Sequence, residues 1–210
     1  MKNLISTLSA LVIIAFLFTS CGGGAGKTVK NDLLGEYPSI VKDYAQKIDN
    51  LEKDAKSNTD LNKAFELAKK IENMKDEFKA KLEEYSKTYK FEKDIPFEPL
   101  AGTKYTVNQI KVDKINNGGL GLAFTTTINE DLKNEYNNFE QTLMIYIQAL
   151  NADGQVIPGS ATVVVSTPMA DLKKGLQTKM TCAWSSSKTK DFENFAKIKE
   201  ITKEEYDQKK

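Results

Sequence analysis

Residues 120–128 read LGLAFTTTI, and every second position of this stretch carries a residue suited to a buried face. The alternating residues are Leu120, Leu122, Phe124, Thr126 and Ile128. Because successive side chains of a β-strand point to opposite faces of a sheet, this alternation predicts a half-buried strand. The stretch therefore indicates a sheet with one face on a hydrophobic core.

The same period of two recurs along the second half of the chain. It is carried by Ala161, Val163 and Val165, and again by Leu176, Thr178, Met180, Cys182 and Trp184. Residues 143–150 are apolar at nearly every position, as in a central strand, and a last strand is expected over residues 195–201. Residues 116–119 (NNGG) and 151–154 (NADG) are typical of tight hairpin turns. These strands and turns predict an antiparallel β-sandwich of immunoglobulin-like type.

The strand-turn-strand sequence of residues 143–157, LMIYIQALNADGQVI, resembles the FxLYD-like immunoglobulin domains of exported bacterial proteins. The segment LKKG at residues 172–175, which enters the next strand, fits the same pattern. The resemblance covers residues 103–202. It implies a fold and no reaction.

The first half of the mature chain has helical periodicity instead. From residue 38 to residue 89, apolar residues recur at spacings of three and four, and residues 57–60 (SNTD) interrupt them with turn and N-cap residues. This pattern predicts an amphipathic helical hairpin whose second helix has about 30 residues. Its candidate partner-contact residues are Tyr44, Phe65, Met74, Phe78 and Tyr85. The stripe could equally pack within the hairpin and onto the β domain of the same chain.

The amino terminus has the pattern of an export signal. Lys2 precedes an apolar run from Leu4 to Phe18, which ends at Ser20 and Cys21. Residues 17–21 (LFTSC) resemble the lipobox of bacterial lipoproteins. The resemblance implies a thioether link between the Cys21 sulfur and diacylglycerol, cleavage before Cys21, and palmitate among the acyl chains. Glycine-rich residues 22–26 are typical of a linker. The alternative is an ordinary secreted protein.

The lipoprotein resemblance also implies a location. Gly22 stands where an Asp would retain many lipoproteins in the inner membrane, so we expect the outer membrane, with its periplasmic face favoured over surface exposure. The expected organisation of an α+β chain is a signal peptide (1–20), a lipidated linker (21–37), a helical hairpin (38–94), a second linker (95–102), an immunoglobulin-like β-sandwich (103–202) and a polar tail (203–210).

Composition restricts the chemistry. The chain has 30 basic residues, all of them Lys, against 29 acidic residues, and it contains no His and no Arg. Without His there is neither a near-neutral imidazole base nor an imidazole metal ligand, and without Arg there is no bidentate anion clamp. Charge balance gives no attraction to nucleic acid. We expect no cofactor and no nucleotide, since the Gly26–Lys27–Thr28 run lacks the rest of a phosphate-binding loop.

Three further features have functional interpretations. Glu130, Asp131 and Glu135 are weak candidates for calcium, and a solvated loop between strands is the favoured explanation of them. Cys182 and Trp184 share one strand face and are expected in the core. The leading hypothesis is a non-enzymatic envelope lipoprotein acting as an adaptor or binding module. The alternatives are a glycan-binding or glycan-processing protein and a self-associating structural protein.

Overall fold

The computed structural model describes residues 30–116, 119–132 and 141–209. The described chain is of the α+β class. Its helices are α1 (Tyr37–Ser57), α2 (Leu61–Thr88), α3 (Ser186–Thr189) and α4 (Lys203–Asp207), with a 3₁₀ turn at Phe192–Asn194. Its strands are β1 (Phe97–Glu98), β2 (Tyr105–Asn116), β3 (Gly119–Ile128), β4 (Met144–Asn151), β5 (Thr162–Ser166), β6 (Gln177–Trp184) and β7 (Phe195–Glu200).

The two long helices form the predicted hairpin. Pro38 stands in the first turn of α1, where its missing N–H is not needed. The Asp60 carboxylate caps α2 by accepting hydrogen bonds from the backbone N–H groups of Asn62 and Lys63, at 2.9 and 3.4 Å. The turn residues at 57–60 therefore separate the helices as the sequence predicted, and α2 has 28 residues.

The seven strands form one hydrogen-bonded sheet in the order β1-β7-β4-β5-β6-β3-β2. This differs from the predicted sandwich of two antiparallel sheets. The short strand β5 pairs with both β4 and β6, and therefore joins the two halves of the sheet. Strand β1 pairs with β7 in parallel, so the sheet is mixed. The edge strands of the sheet are β1 and β2. Just before β1, the N–H of Ile95 donates to the carbonyl of Ile110 in β2 at 2.9 Å, and this bond between the two edges nearly closes the sheet into a barrel.

The strand phases agree with the sequence pattern in β3 and β6. Thr178, Met180, Cys182 and Trp184 are all buried, and the residues between them are exposed. In β5 the predicted phase is wrong by one residue. Val164 and Ser166 are buried there, while Val163 and Val165 are only half-buried. Ser166 can lie inside because its hydroxyl accepts a hydrogen bond from the backbone N–H of Leu143 at 2.9 Å.

Several expected boundaries also differ from the structure. Residues 31–37, expected in the first linker, contribute Leu34 and Tyr37 to the hydrophobic core that the sheet and the hairpin share. Ile95, expected in the second linker, is 3 % exposed. The expected polar tail begins with α4, which Thr202 and Glu205 cap reciprocally. The hairpin base and the sheet therefore share one continuous core instead of being joined by a simple linker.

Trp184 is fixed in the core by a hydrogen bond and a ring contact. The indole N–H donates to the carbonyl of Ser160 at 2.7 Å, and the indole ring meets Phe192 edge-on with 5.2 Å between ring centroids. Cys182 is buried on the same strand, and burial raises the pKa of its thiol to about 12. Both residues are core residues, as their strand phase predicted. Within the described residues, no helix combines the length and the hydropathy needed to cross a bilayer.

Candidate functional site: the hairpin and its tip

Two buried tyrosines hold the base of the hairpin together and connect it to α3. The hydroxyls of Tyr37 and Thr189 lie 2.9 Å apart, which connects α1 to α3. The Tyr85 hydroxyl donates to the carbonyl of Leu34 and accepts from the N–H of Glu36, both at 2.9 Å. Burial raises the pKa of each tyrosine to about 12. These side chains hold α1, α2 and the preceding turn in one geometry.

Asn31 provides a second attachment at the base. Its side-chain amide donates to the carbonyls of Glu193 and Phe195 at 3.0 and 2.8 Å. Its side-chain oxygen accepts from the N–H groups of Leu33 and Leu34, so the side chain is satisfied although it is only 6 % exposed. The turn that starts the hairpin is thus held against the beginning of β7.

The middle of the hairpin is held mainly by contact between its own helices. The rings of Tyr44 and Phe78 lie with their centroids 5.2 Å apart, and Met74 is half-buried along the same stripe. The buried residues of α1 are confined to its first turns, at Tyr37, Pro38 and Val41. Only Leu67 is buried in the first half of α2. The hairpin therefore extends away from the sheet, with a shared but thin apolar seam.

The tip of the hairpin carries an exposed apolar pair. Leu61 and Phe65 are 87 % and 77 % exposed, and they are four residues apart on α2. Residues at this spacing lie on one face of a helix and form a continuous patch. The seam between the helices runs instead through Ala64, Leu67 and Ile71, so Leu61 and Phe65 lie on the flank of α2. We call these two residues the tip pair.

The five contact candidates from the sequence thus have different environments. Tyr85 belongs to the base, and Tyr44, Met74 and Phe78 pack along the seam. Phe65 alone among them is exposed. Leu61 was not selected from the sequence, although its position directly after the N-cap and four residues before Phe65 is the signal that identifies it.

The acidic loop makes ion pairs. Glu130 lies 3.6 Å from the Lys104 ammonium, and Asp131 lies 3.7 Å from that of Lys173. Asp131 also accepts a hydrogen bond from the backbone N–H of Lys174 at 2.8 Å. Glu135 lies outside the described residues, as do Cys21 and residues 1–20, which are expected from the sequence to be a signal peptide. Among the residues that the structure describes, no three acidic or cysteine side chains come together as metal ligands.

The tip pair offers contact area and no reacting group. The Asp60 carboxylate, which directly precedes Leu61, is occupied in capping α2. Such a surface can bind by burial of apolar area. Comparison with known proteins finds no matching family model, no similar curated protein and no similar solved structure.

Proposed function

We propose that this chain is a non-enzymatic lipoprotein of the cell envelope that binds another envelope protein through the tip of its helical hairpin. The observation that carries the proposal is the exposure of Leu61 and Phe65, at 87 % and 77 %. Two large apolar side chains held side by side on a rigid helix are unfavourable in water. They are the kind of residue that fills a pocket on a partner.

The energetics fit a small, specific contact. Burying a Leu or Phe side chain contributes ~1.5–3 kcal/mol each, so the tip pair can supply the centre of a modest interface. The capped first turn of α2 fixes the backbone of both residues before binding. A preorganised pair loses little conformational freedom on association, which favours binding.

A lipid on Cys21 would leave the tip free to reach a partner. Ten residues separate Cys21 from Asn31, and an extended chain of that length spans up to ~36 Å. Helix α1 carries the tip a further ~30 Å from the base of the hairpin. We propose the outer membrane, and its periplasmic face, as the location. Metabolic labelling with an alkyne fatty acid tests the anchor, since Cys21→Ala must abolish the label and the membrane retention.

Affinity capture of the full-length protein from its own envelope tests the binding function. The double variant Leu61→Ser with Phe65→Ser must lose a stoichiometric protein partner that the wild type retains. The matched control is Met144→Ser with Val156→Ser, because these two exposed apolar residues lie on the sheet domain. If the tip variant retains the partner, the proposed interface is wrong. If the partner retained by the wild type is a second copy of this chain, the protein self-associates.

We also propose an immunoglobulin-like ancestry for strands β2 to β7. The neighbour order β2-β3-β6 corresponds to strands A-B-E of that fold, and the pair β4-β7 corresponds to C-F. The structure departs from the immunoglobulin-like fold at β5, which pairs with both β4 and β6 and so joins the two half-sheets into one sheet. A solved structure of a homologue in which β5 pairs on one side alone would support this ancestry.

A further inference from the structure

We propose that the groove between β1 and β2 is a binding site for a neutral saccharide. This groove has a volume of about 500 Å³, which lies in the range of small-ligand sites. It lies on the sheet domain and not on the hairpin. It is independent of the tip pair, so either proposal can fail without the other.

The groove exists because the two edges of the sheet separate after one hydrogen bond. Ile95 bonds to Ile110 of β2, but the next carbonyl, that of Pro96, accepts from Ile198 of β7 at 2.9 Å. Strand β1 follows β7 from there, and residues 99–104 return the chain to the start of β2. The bond between Ile95 and Ile110 therefore bounds one end of the groove, and the residues of the 99–104 connection that line it bound the other end. A short ligand fits such a space better than an extended peptide that must run through it.

The floor of the groove is partly aromatic. Phe97 and Tyr105 line it and are half-buried. Phe97 is held edge-on against Phe124, with 6.4 Å between ring centroids. Tyr105 is held by a hydrogen bond to the buried Glu200 carboxylate, so its position is fixed as well. Fixed aromatic rings are suitable surfaces for the apolar C–H faces of a sugar ring.

The rim carries amide side chains that are held in place. The Asn129 amide donates to the Thr106 hydroxyl at 3.0 Å, and the Asn108 amide donates to the Thr127 hydroxyl at 2.6 Å. Each amide has two N–H donors and an acceptor oxygen, so these bonds leave capacity for ligand hydroxyls. Asn108 is also the position at which the β2 register shifts between Val107 and Gln109, and β-bulges often re-aim a side chain at a binding site.

Two buried hydroxyls lie next to the floor on the inner face of the sheet. Thr126 is the register partner of Val107, which lines the groove, and Thr178 is the register partner of Thr126. Within the described residues, neither hydroxyl has a hydrogen-bond partner. Because buried polar atoms are normally satisfied, this pair gives the region behind the floor unused hydrogen-bonding capacity.

Charge favours a neutral ligand. In the described part of the chain, Asp94 is the one charged residue that lines the groove. Its carboxylate already accepts from the Gln109 amide at 3.1 Å and lies 3.8 Å from the Lys111 ammonium. Among the residues that the structure describes, no lysine lines the groove, so no cationic side chain is present there to pair with a phosphate or a carboxylate. Aromatic floor, amide rim and low net charge together match a saccharide without ionised groups.

Saturation-transfer NMR on the full-length protein in nanodiscs tests the site. The probes are cellobiose, maltotriose and N,N′-diacetylchitobiose, with glucose 6-phosphate as the anionic comparison. We expect saturable transfer from at least one neutral probe. The double variant Asn108→Ala with Asn129→Ala must weaken its binding about tenfold, as the loss of two neutral hydrogen bonds requires. The matched control is Gln46→Ala with Asn50→Ala, two exposed amides on α1.

A second measurement covers the case in which the groove variant does not fold. In the wild-type protein, addition of the bound probe must shift the side-chain amide resonances of Asn108 and Asn129, and must leave those of Gln46 and Asn50 unchanged. The proposal is overturned if no neutral probe gives transfer up to about 10 mM, a concentration well above weak millimolar dissociation constants. Tighter binding of glucose 6-phosphate, or binding that survives the groove variant unchanged, also overturns it.

Discussion

Replacing Tyr85 with Phe tests whether the Tyr85 hydroxyl fixes the base of the hairpin by joining α2 to the turn before α1. The substitution keeps the ring, which stacks on Tyr89 with 5.1 Å between centroids, and removes only the hydroxyl. That hydroxyl donates to the Leu34 carbonyl and accepts from the Glu36 N–H. The variant therefore leaves two backbone groups without their partner while the apolar packing is retained.

The expected cost follows from the environments of these two groups. The bond to Leu34 is buried, and a buried carbonyl left unpaired costs ~1–3 kcal/mol. The bond to Glu36 is partly exposed, so water can replace the hydroxyl and the loss is ~0.5 kcal/mol. The sum is ~2 kcal/mol of unfolding free energy. For a chain of this size, that loss lowers the melting temperature by ~4–8 °C.

Urea denaturation of residues 22–210, followed by circular dichroism, measures this loss. Tyr44→Phe is the control, because the Tyr44 ring packs against Phe78 and its hydroxyl takes part in no hydrogen bond within the described residues. We expect the control to change stability by less than ~0.5 kcal/mol. If Tyr85→Phe changes stability no more than the control does, the hydroxyl does not fix the hairpin base and the account of the base is wrong.

Two further predictions concern the core. Burial raises the pKa of Cys182 from 9.0 and that of Tyr37 from 10.0, each to about 12. Each neutral side chain therefore contributes fully to folding stability below its ordinary pKa, and that contribution is lost as the pH rises toward 12. Between the ordinary and the raised pKa of each group, the unfolding free energy measured by urea denaturation should fall by ~1.4 kcal/mol per pH unit. Tyr37→Phe should make this fall with pH less steep above pH 10. Gly119→Ala should cost more than ~3 kcal/mol or prevent folding, because its Cβ would lie 1.8 Å from the Trp184 carbonyl at φ 135°. Gly154→Ala, with positive φ but nothing within 4 Å, should cost only ~1 kcal/mol, and equal losses for the two variants would contradict the close approach.

Local pattern was enough to predict the two long helices and the strands β3 to β7. The period of two gave the buried faces of β3 and β6, and the Asp60 cap gave the start of α2. In β5 the alternation was misleading because three consecutive valines, Val163 to Val165, fit either phase. The phase was decided by a hydrogen bond from Leu143 to Ser166, which joins residues far apart in sequence.

The features that could not be predicted from the sequence depend on pairing between residues that are far apart along the chain. The union of two half-sheets into one rests on Val165 and Ser166 pairing with Thr181 and Met180, and no local signal specifies that contact. The same holds for the groove, which arises where the chain passes from the bond between Ile95 and β2 to the pairing of β1 with β7. In the hairpin, helical period identified an apolar stripe but not its outer flank. Phe65 directly follows the seam residue Ala64 in the sequence. The contacts between the two helices are therefore needed to tell that Phe65 is exposed and that Ala64 belongs to the seam.

The most direct test of the proposed function is site-specific photo-crosslinking at the tip. The full-length protein carries p-benzoylphenylalanine in place of Phe65 and is irradiated in intact cells, with the same replacement at Met144 as the comparison. We expect one abundant crosslinked protein from position 65, absent from position 144 and lost when Leu61 is also replaced by Ser. Crosslinks to lipid alone, or the same crosslinked proteins from both positions, would contradict a binding surface at the hairpin tip.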